Sequence, residues 1–186
     1  MTLLEAVNFI LPRINEHQVT SLGARSPTLQ ILLQSIEDFK VQILVKGWWF
    51  NTQRNYLANP DVSGHIYAGS TALMVSAVER SGVALVGGRL KDMVSYTDVF
   101  TEAVKLDVVH NVDFEALPVS MQNWVKYAVL IDQYNTDVGA TADMAEWEKQ
   151  RRSAEQSVLS EHLLNNKYNT RMRLGYMRMR RAMRGV

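Results

Sequence analysis

The spacing of apolar residues changes twice along this 186-residue chain, and no other feature constrains the fold as tightly. Both ends carry apolar side chains at helical spacing, whereas residues 48–114 carry short aromatic and β-branched runs cut by Gly, Pro, Asn and Asp. A chain patterned this way is expected to be α+β. Its N- and C-terminal helices build a bundle, a small β-rich subdomain is inserted between them, and an extended basic arm follows. The expected division is a body over 1–166, with helices within 1–47 and 117–165 and the β-rich part over 48–116, and an arm over 167–186.

The helix boundaries are written in capping chemistry. Thr2 and Glu5 have the spacing of a capping box, and Leu3, Ala6, Val7, Ile10, Leu11 and Ile14 follow on one face. Pro12 predicts that this first helix ends or kinks early, with a loop over 15–25. Ser26 and Pro27 suit the N-cap and first turn of a second helix. Leu29, Leu32, Leu33, Ile36, Phe39 and Ile43 make its stripe, and Gly47 stands where a left-handed residue closes a helix. A third helix after Pro118 has apolar residues on most sides and should be central. A fourth, capped by Thr141 after a turn at 137–140, has only Met144, Trp147, Ala154 and Val158 on its narrow stripe; its outer face is charged, with Glu148 and Arg152 in the favourable order.

In the middle, residues 48–52, 64–67 and 105–110 read as strands. Residues 83–86 and 89–92 read as a hairpin around Gly87 and Gly88. Residues 70–81 fit a short helix or a buried strand equally well. If 48–52 is a strand, Trp48 and Phe50 face one way and Trp49 the other. The pair then packs inward, or the tryptophans form a carbohydrate-stacking or contact surface.

Residue chemistry narrows the function. The chain has no cysteine, which removes disulfides, thiolate metal sites and cysteine nucleophiles. His17, His65, His110 and His162 stand singly, without metal-ligand spacing, and read as surface or loop residues. The glycine spacing of Gly82 and Gly87 lacks the Lys-Ser/Thr that a phosphate loop requires. Glu37 with Asp38, Asp113 with Glu115, and Asp143 with Glu146 are carboxylate pairs for which solvated faces are the simpler reading. No catalytic, cofactor or metal site is expected. No apolar run approaches the ~20 residues of a membrane helix, and the N-terminus lacks signal-peptide character, so no membrane partner is expected and synthesis in the cytosol is.

The net charge of +1 conceals an asymmetry. Residues 167–186 hold seven basic residues and no acidic one, leaving 13 basic against 19 acidic residues in 1–166, a net −6. In the arm, Arg171, Arg173, Arg178, Arg180, Arg181 and Arg184 are interleaved with Met172, Leu174, Tyr176, Met177, Met179 and Met183. That is too much apolar surface for a segment that stays in water. Arginine's fork also suits pairing with carboxylates or phosphates. Arg171, Arg173, Tyr176, Met177, Arg178, Met179, Arg180, Arg181 and Arg184 are therefore the partner-binding candidates, the partner being protein or nucleic acid.

Several stretches taken in order resemble one family. They are residues 6–11 with 19–22, residues 41–51 ending in Gly47-Trp48-Trp49-Phe50-Asn51, residues 61–66, and Phe114-Glu115-Ala116-Leu117-Pro118 leading into an aromatic helix. Together they resemble the tail tubular protein A adaptors of short-tailed phages across most of residues 3–165. Pro12-Arg13-Ile14-Asn15 departs from the family's Gly-Glu-Pro region, and Ala68-Gly69 stands where proline is common. The arm falls outside the resemblance. The resemblance implies a virion protein of structural role: a dodecameric ring of identical subunits between the portal protein and the tail nozzle protein, with genomic DNA passing through the lumen. Two other readings stand beside it: a nucleic-acid-binding protein working through the arm, and a cell-wall or polysaccharide hydrolase working through two carboxylates.

Overall fold

The computed structural model describes residues 1–137 and 142–166. The fold is α+β, as the periodicity predicts. Helix α1 (Leu3–Ile10) begins at the Thr2–Glu5 capping box, in which the Glu5 N–H donates to Thr2 Oγ1 (3.1 Å) and the Thr2 N–H donates to Glu5 Oε2 (2.7 Å). Pro12 converts its continuation into a 3-10 turn over Leu11–Ile14, which Asn15 ends in a left-handed conformation. Helix α2 (Pro27–Leu44) starts at Ser26, whose hydroxyl accepts from the Leu29 N–H. Gly47, at φ 76°, turns the chain out of that helix.

Five strands follow: β1 (Thr52–Ala58), β2 (Ala72–Ala77), β3 (Val83–Val86), β4 (Arg89–Asp92) and β5 (Val104–His110). β5 lies between β1 and β2 and is antiparallel to both. β3 and β4 form the expected hairpin, with Val86 opposite Arg89 and both Gly87 and Gly88 at positive φ. Helix α3 (Val119–Asp137) and helix α4 (Ala142–Asn165) complete the chain and pack on one another. The expected turn at 138–140 and the Thr141 cap lie outside the described residues.

The buried apolar residues gather in two clusters. The larger joins α1, α2, α3 and α4 through Ala6, Val7, Ile10, Leu29, Leu32, Met121, Val125 and Val158, among others. The smaller joins the sheet and the hairpin through Ile66, Val75, Leu90, Phe100, Leu106 and Val108. Complete burial of an aliphatic side chain is worth about 1.5–3 kcal/mol, so both clusters stabilise the fold substantially. α3 is central, as expected: Met121, Val125, Val129 and Leu130 have no exposed surface.

Two strand expectations are corrected. Residues 48–51 form a tight turn, because the Asn51 side chain accepts from the Trp48 N–H (2.7 Å) and donates to the carbonyls of Leu44 (3.0 Å) and His110 (2.9 Å). These bonds close the chain where a strand would extend it. The alternation expected of Trp48, Trp49 and Phe50 fails with the strand. Trp48 is buried in the larger cluster, while Trp49 and Phe50 are both half-buried and meet edge to face at 5.0 Å. Residues 64–67 contribute only a single bridge, Tyr67 to Arg89. The ambiguous stretch 70–81 contains a strand, β2, which β5 recruits as its second partner.

Candidate functional site

The partner-binding candidates Arg171, Arg173, Tyr176, Met177, Arg178, Met179, Arg180, Arg181 and Arg184 lie outside the described residues. The described residues offer three outward features and no converging set of catalytic groups.

The first feature is a rigidly held apolar tip beside the hairpin. Asp92 at the end of β4 is buried, and its carboxylate accepts from the N–H groups of Val94 (2.8 Å) and Ser95 (3.2 Å) and pairs with Arg80 (2.6 Å). Hydrogen bonds from Ser95 and from the Val94 and Ser95 backbone, with the Arg80 charge, hold the Asp92 carboxyl below its usual range. The Asp92 N–H donates to Thr97 O, closing the loop, and Tyr96 sits at φ 58°. The loop thereby presents Val94, 78% exposed, and Tyr96, 73% exposed, to solvent. Lys91 lies over the Tyr96 ring at 4.9 Å and Arg89 over the Tyr67 ring at 5.3 Å.

The second is the outer side of α4. This helix buries Ala154 and Val158 against α3 and leaves Leu159, Leu163 and Leu164 exposed among charged residues. Glu148 pairs with Arg151 (3.0 Å) and with Arg152 (3.6 Å), the latter being the one-turn pair read from the sequence.

The third is the β1 edge. Residues 53–57 are exposed, including the half-exposed Tyr56 and Leu57, and β1 pairs only with β5 among the described residues.

The carboxylate pairs do not form a catalytic dyad. Glu37 binds buried Lys40 at 2.7 Å and accepts from Asn111 Nδ2 at 3.1 Å. Partial burial pushes the Glu37 carboxyl up, but the bonds from Lys40 and Asn111 and the Lys40 charge outweigh it, and the net shift is downward. Glu115 accepts from the Leu3 N–H, tying α1 to the segment before α3. Asp143 is exposed, and Glu146 is held by Gln150. Among the described residues no group of three or more His, Asp or Glu side chains is close enough to hold a metal ion.

The histidines divide. His17 is exposed, His65 approaches the carbonyl of Asp98 (3.1 Å), and His110 approaches the Thr71 hydroxyl (3.1 Å). His162 departs from the surface reading: it is half-buried against Trp48 and Trp49, with ring centroids 5.3 and 6.0 Å apart. Burial, reinforced by Arg54, lowers its pKa. Arg54 also donates to Asn166 Oδ1 at 3.0 Å, joining β1 to the end of α4. Sequence reasoning missed this junction, since its partners are 112 residues apart.

Residues 4–168 match the tail tubular protein family. Tail tubular protein A of Klebsiella phage KP34 is 27% identical over 183 residues, covering 98% of this chain and 98% of that protein. The chain belongs to the tail tubular protein family, a family of phage tail structural proteins.

Proposed function

We propose that the chain is the head-to-tail adaptor of a short-tailed phage. It is a non-enzymatic ring subunit, twelve to a ring, that joins the portal protein to the tail nozzle protein and lets genomic DNA pass. The body over 1–166 builds the ring, and the arm over 167–186 grips the portal. The observation that carries this reading is that one small body exposes apolar groups on unlike surfaces, with Val94 and Tyr96 at the tip and Leu159, Leu163 and Leu164 on α4. A ring of identical subunits needs two different patches on each copy, since head-to-tail contacts pair unlike surfaces. The net −6 of residues 1–166 suits a lumen that repels DNA and does not bind it.

The arm's role is tested in the full chain with Arg178→Glu, Arg180→Glu and Arg181→Glu combined. Charge reversal across a contact removes attraction and adds repulsion, so co-sedimentation with purified portal rings should weaken about tenfold or more. Undiminished attachment would contradict the docking role. Tight, salt-sensitive binding of the native chain to duplex DNA, with no affinity for portal, would favour the nucleic-acid reading instead.

A further inference from the structure

Two lysines are buried among the described residues, and they are held in opposite ways. Lys40 has the Glu37 carboxylate at 2.7 Å. Lys126 of α3 is 8% exposed, and its ammonium donates to Asn123 Oδ1 at 2.9 Å and lies over the rings of Phe9 (4.3 Å) and Tyr127 (4.8 Å). Its charged neighbour is a second cation. Arg13, exposed in the turn after α1, stacks on Phe9 with Cζ 3.6 Å from the ring centre and donates to the Phe9 carbonyl. Burial first, and the Arg13 charge second, lower the Lys126 pKa. Among the described residues no carboxylate pairs with either cation.

Buried charges are ordinarily paired, because withdrawal from water is costly, and ring faces with one amide oxygen offset only part of that cost. Two cations fixed on aromatic rings, with no acid of their own, make a receptor for a carboxylate. Asn123 and Tyr127 also line an open groove of about 210 Å³ between α3 and α4, together with Ser120, Gln150 and Ser153. The groove brings an incoming side chain to the two residues that hold the Lys126 ammonium.

We infer that a carboxylate from a second copy of this chain docks on Arg13 and Lys126 when subunits assemble, giving both cations one partner. The inference rests on the ring reading and names one of its contacts. A second copy is the occupant because each chain carries both halves of the pair. The carboxylates of Glu102, Asp113 and Asp143 are exposed and make no hydrogen bond or ion pair among the described residues. Uncommitted acids and uncommitted cations on unlike surfaces suit the head-to-tail contact of a closed ring. Duplex DNA fits less well, since residues 1–166 carry a net −6 and a phosphate backbone reaches a buried ammonium poorly.

The test is zero-length carbodiimide cross-linking of the full chain, which forms an amide between an amine and a carboxylate in contact. Isotope-labelled and unlabelled chains are mixed, treated both concentrated alone and on portal rings, and the Lys126 peptides are read by mass spectrometry. The expected product joins Lys126 to an acidic residue of the other label in at least one sample, and Arg13→Glu should cut its yield about tenfold. Assemblies in which Lys126 gains no cross-link, or one only within its own copy or to the portal protein, would overturn the inference. So would a chain that neither self-associates nor assembles on the portal. Salt-sensitive DNA binding that Arg13→Glu abolishes would also overturn it, by assigning the cations to phosphate. Lys126→Met separates contact from fold: assembly should weaken about tenfold while the urea midpoint of the dilute chain stays level or rises. A lowered midpoint would make Lys126 a structural residue and overturn the inference. Complete rings on the portal without a Lys126 cross-link remove this inference and leave the adaptor reading standing. Cross-linked copies that ignore portal rings do the reverse.

Discussion

The rings of Trp48 and His162 meet edge to face, centroids 5.3 Å apart at an interplanar angle of 83°, and so tie the turn after α2 to the last turn of α4. Trp48 donates its indole N–H to the carbonyl of Ile43 (2.8 Å) and also meets Trp124 of α3 edge to face at 5.8 Å. One indole thus joins three helices. His162 touches Trp49 as well, and Arg54 adds its charge nearby.

That setting predicts how acid weakens the body. Burial first, and Arg54 second, lower the pKa of His162 below its ordinary 6.5. The unfolded chain then takes up this proton more readily than the folded one. The linked stability is intact above the ordinary value and erodes as pH falls below it. Between pH 7 and pH 5 the urea midpoint of the native chain should fall more steeply than that of a His162→Gln variant. Equal slopes would contradict this role for His162.

Asn51 is a second junction, and a costly one to remove. Its buried amide accepts from Trp48 and donates to Leu44 and His110, so it joins the end of α2 to β5. Asn51→Ala strands the buried Trp48 N–H and removes a bond each from the carbonyls of His110 and of Leu44, which the Gly47 N–H still meets, and should cost about 3 kcal/mol. Equilibrium urea unfolding measures this. A loss under about 1 kcal/mol would mean that water replaces the amide.

Lys40 and Glu37 predict an asymmetry. Lys40 is 3% exposed, whereas the Glu37 side chain that pairs with it is half in solvent. Removing the carboxylate leaves a cation in the core, while removing the cation returns Glu37 to water. Glu37→Ala should cost about 1–3 kcal/mol after allowing for solvent screening, and Lys40→Met less than about 1 kcal/mol. Thermal unfolding of both variants checks the order, and a costlier Lys40→Met would reverse the argument.

These junctions also mark what could be read in the sequence. The boundaries of α1 and α2 were legible because Thr2, Glu5, Ser26, Pro27 and Gly47 act through contacts a few residues away. The β3–β4 hairpin was legible because Gly87 and Gly88 adopt the positive φ that its turn requires. Residues 48–51 misled, because aromatic composition favours a strand while the Asn51 side chain reaches the carbonyl of His110, 59 residues away. The stretch containing β2 stayed ambiguous for the same reason: only pairing with β5 decides it, and pairing is a long-range event. The exposed tip depends on Asp92, which reads in the sequence only as the end of a hairpin strand; what shapes the tip is the set of bonds its carboxylate accepts from the Val94 and Ser95 amides.

The most direct test of the adaptor reading is electron microscopy of the purified full chain mixed with its portal protein. The account predicts a collar of twelve copies on the tail-facing end of the portal, with an open axial channel. Particles in which the portal stays bare while the chain remains fully folded and in excess would contradict it.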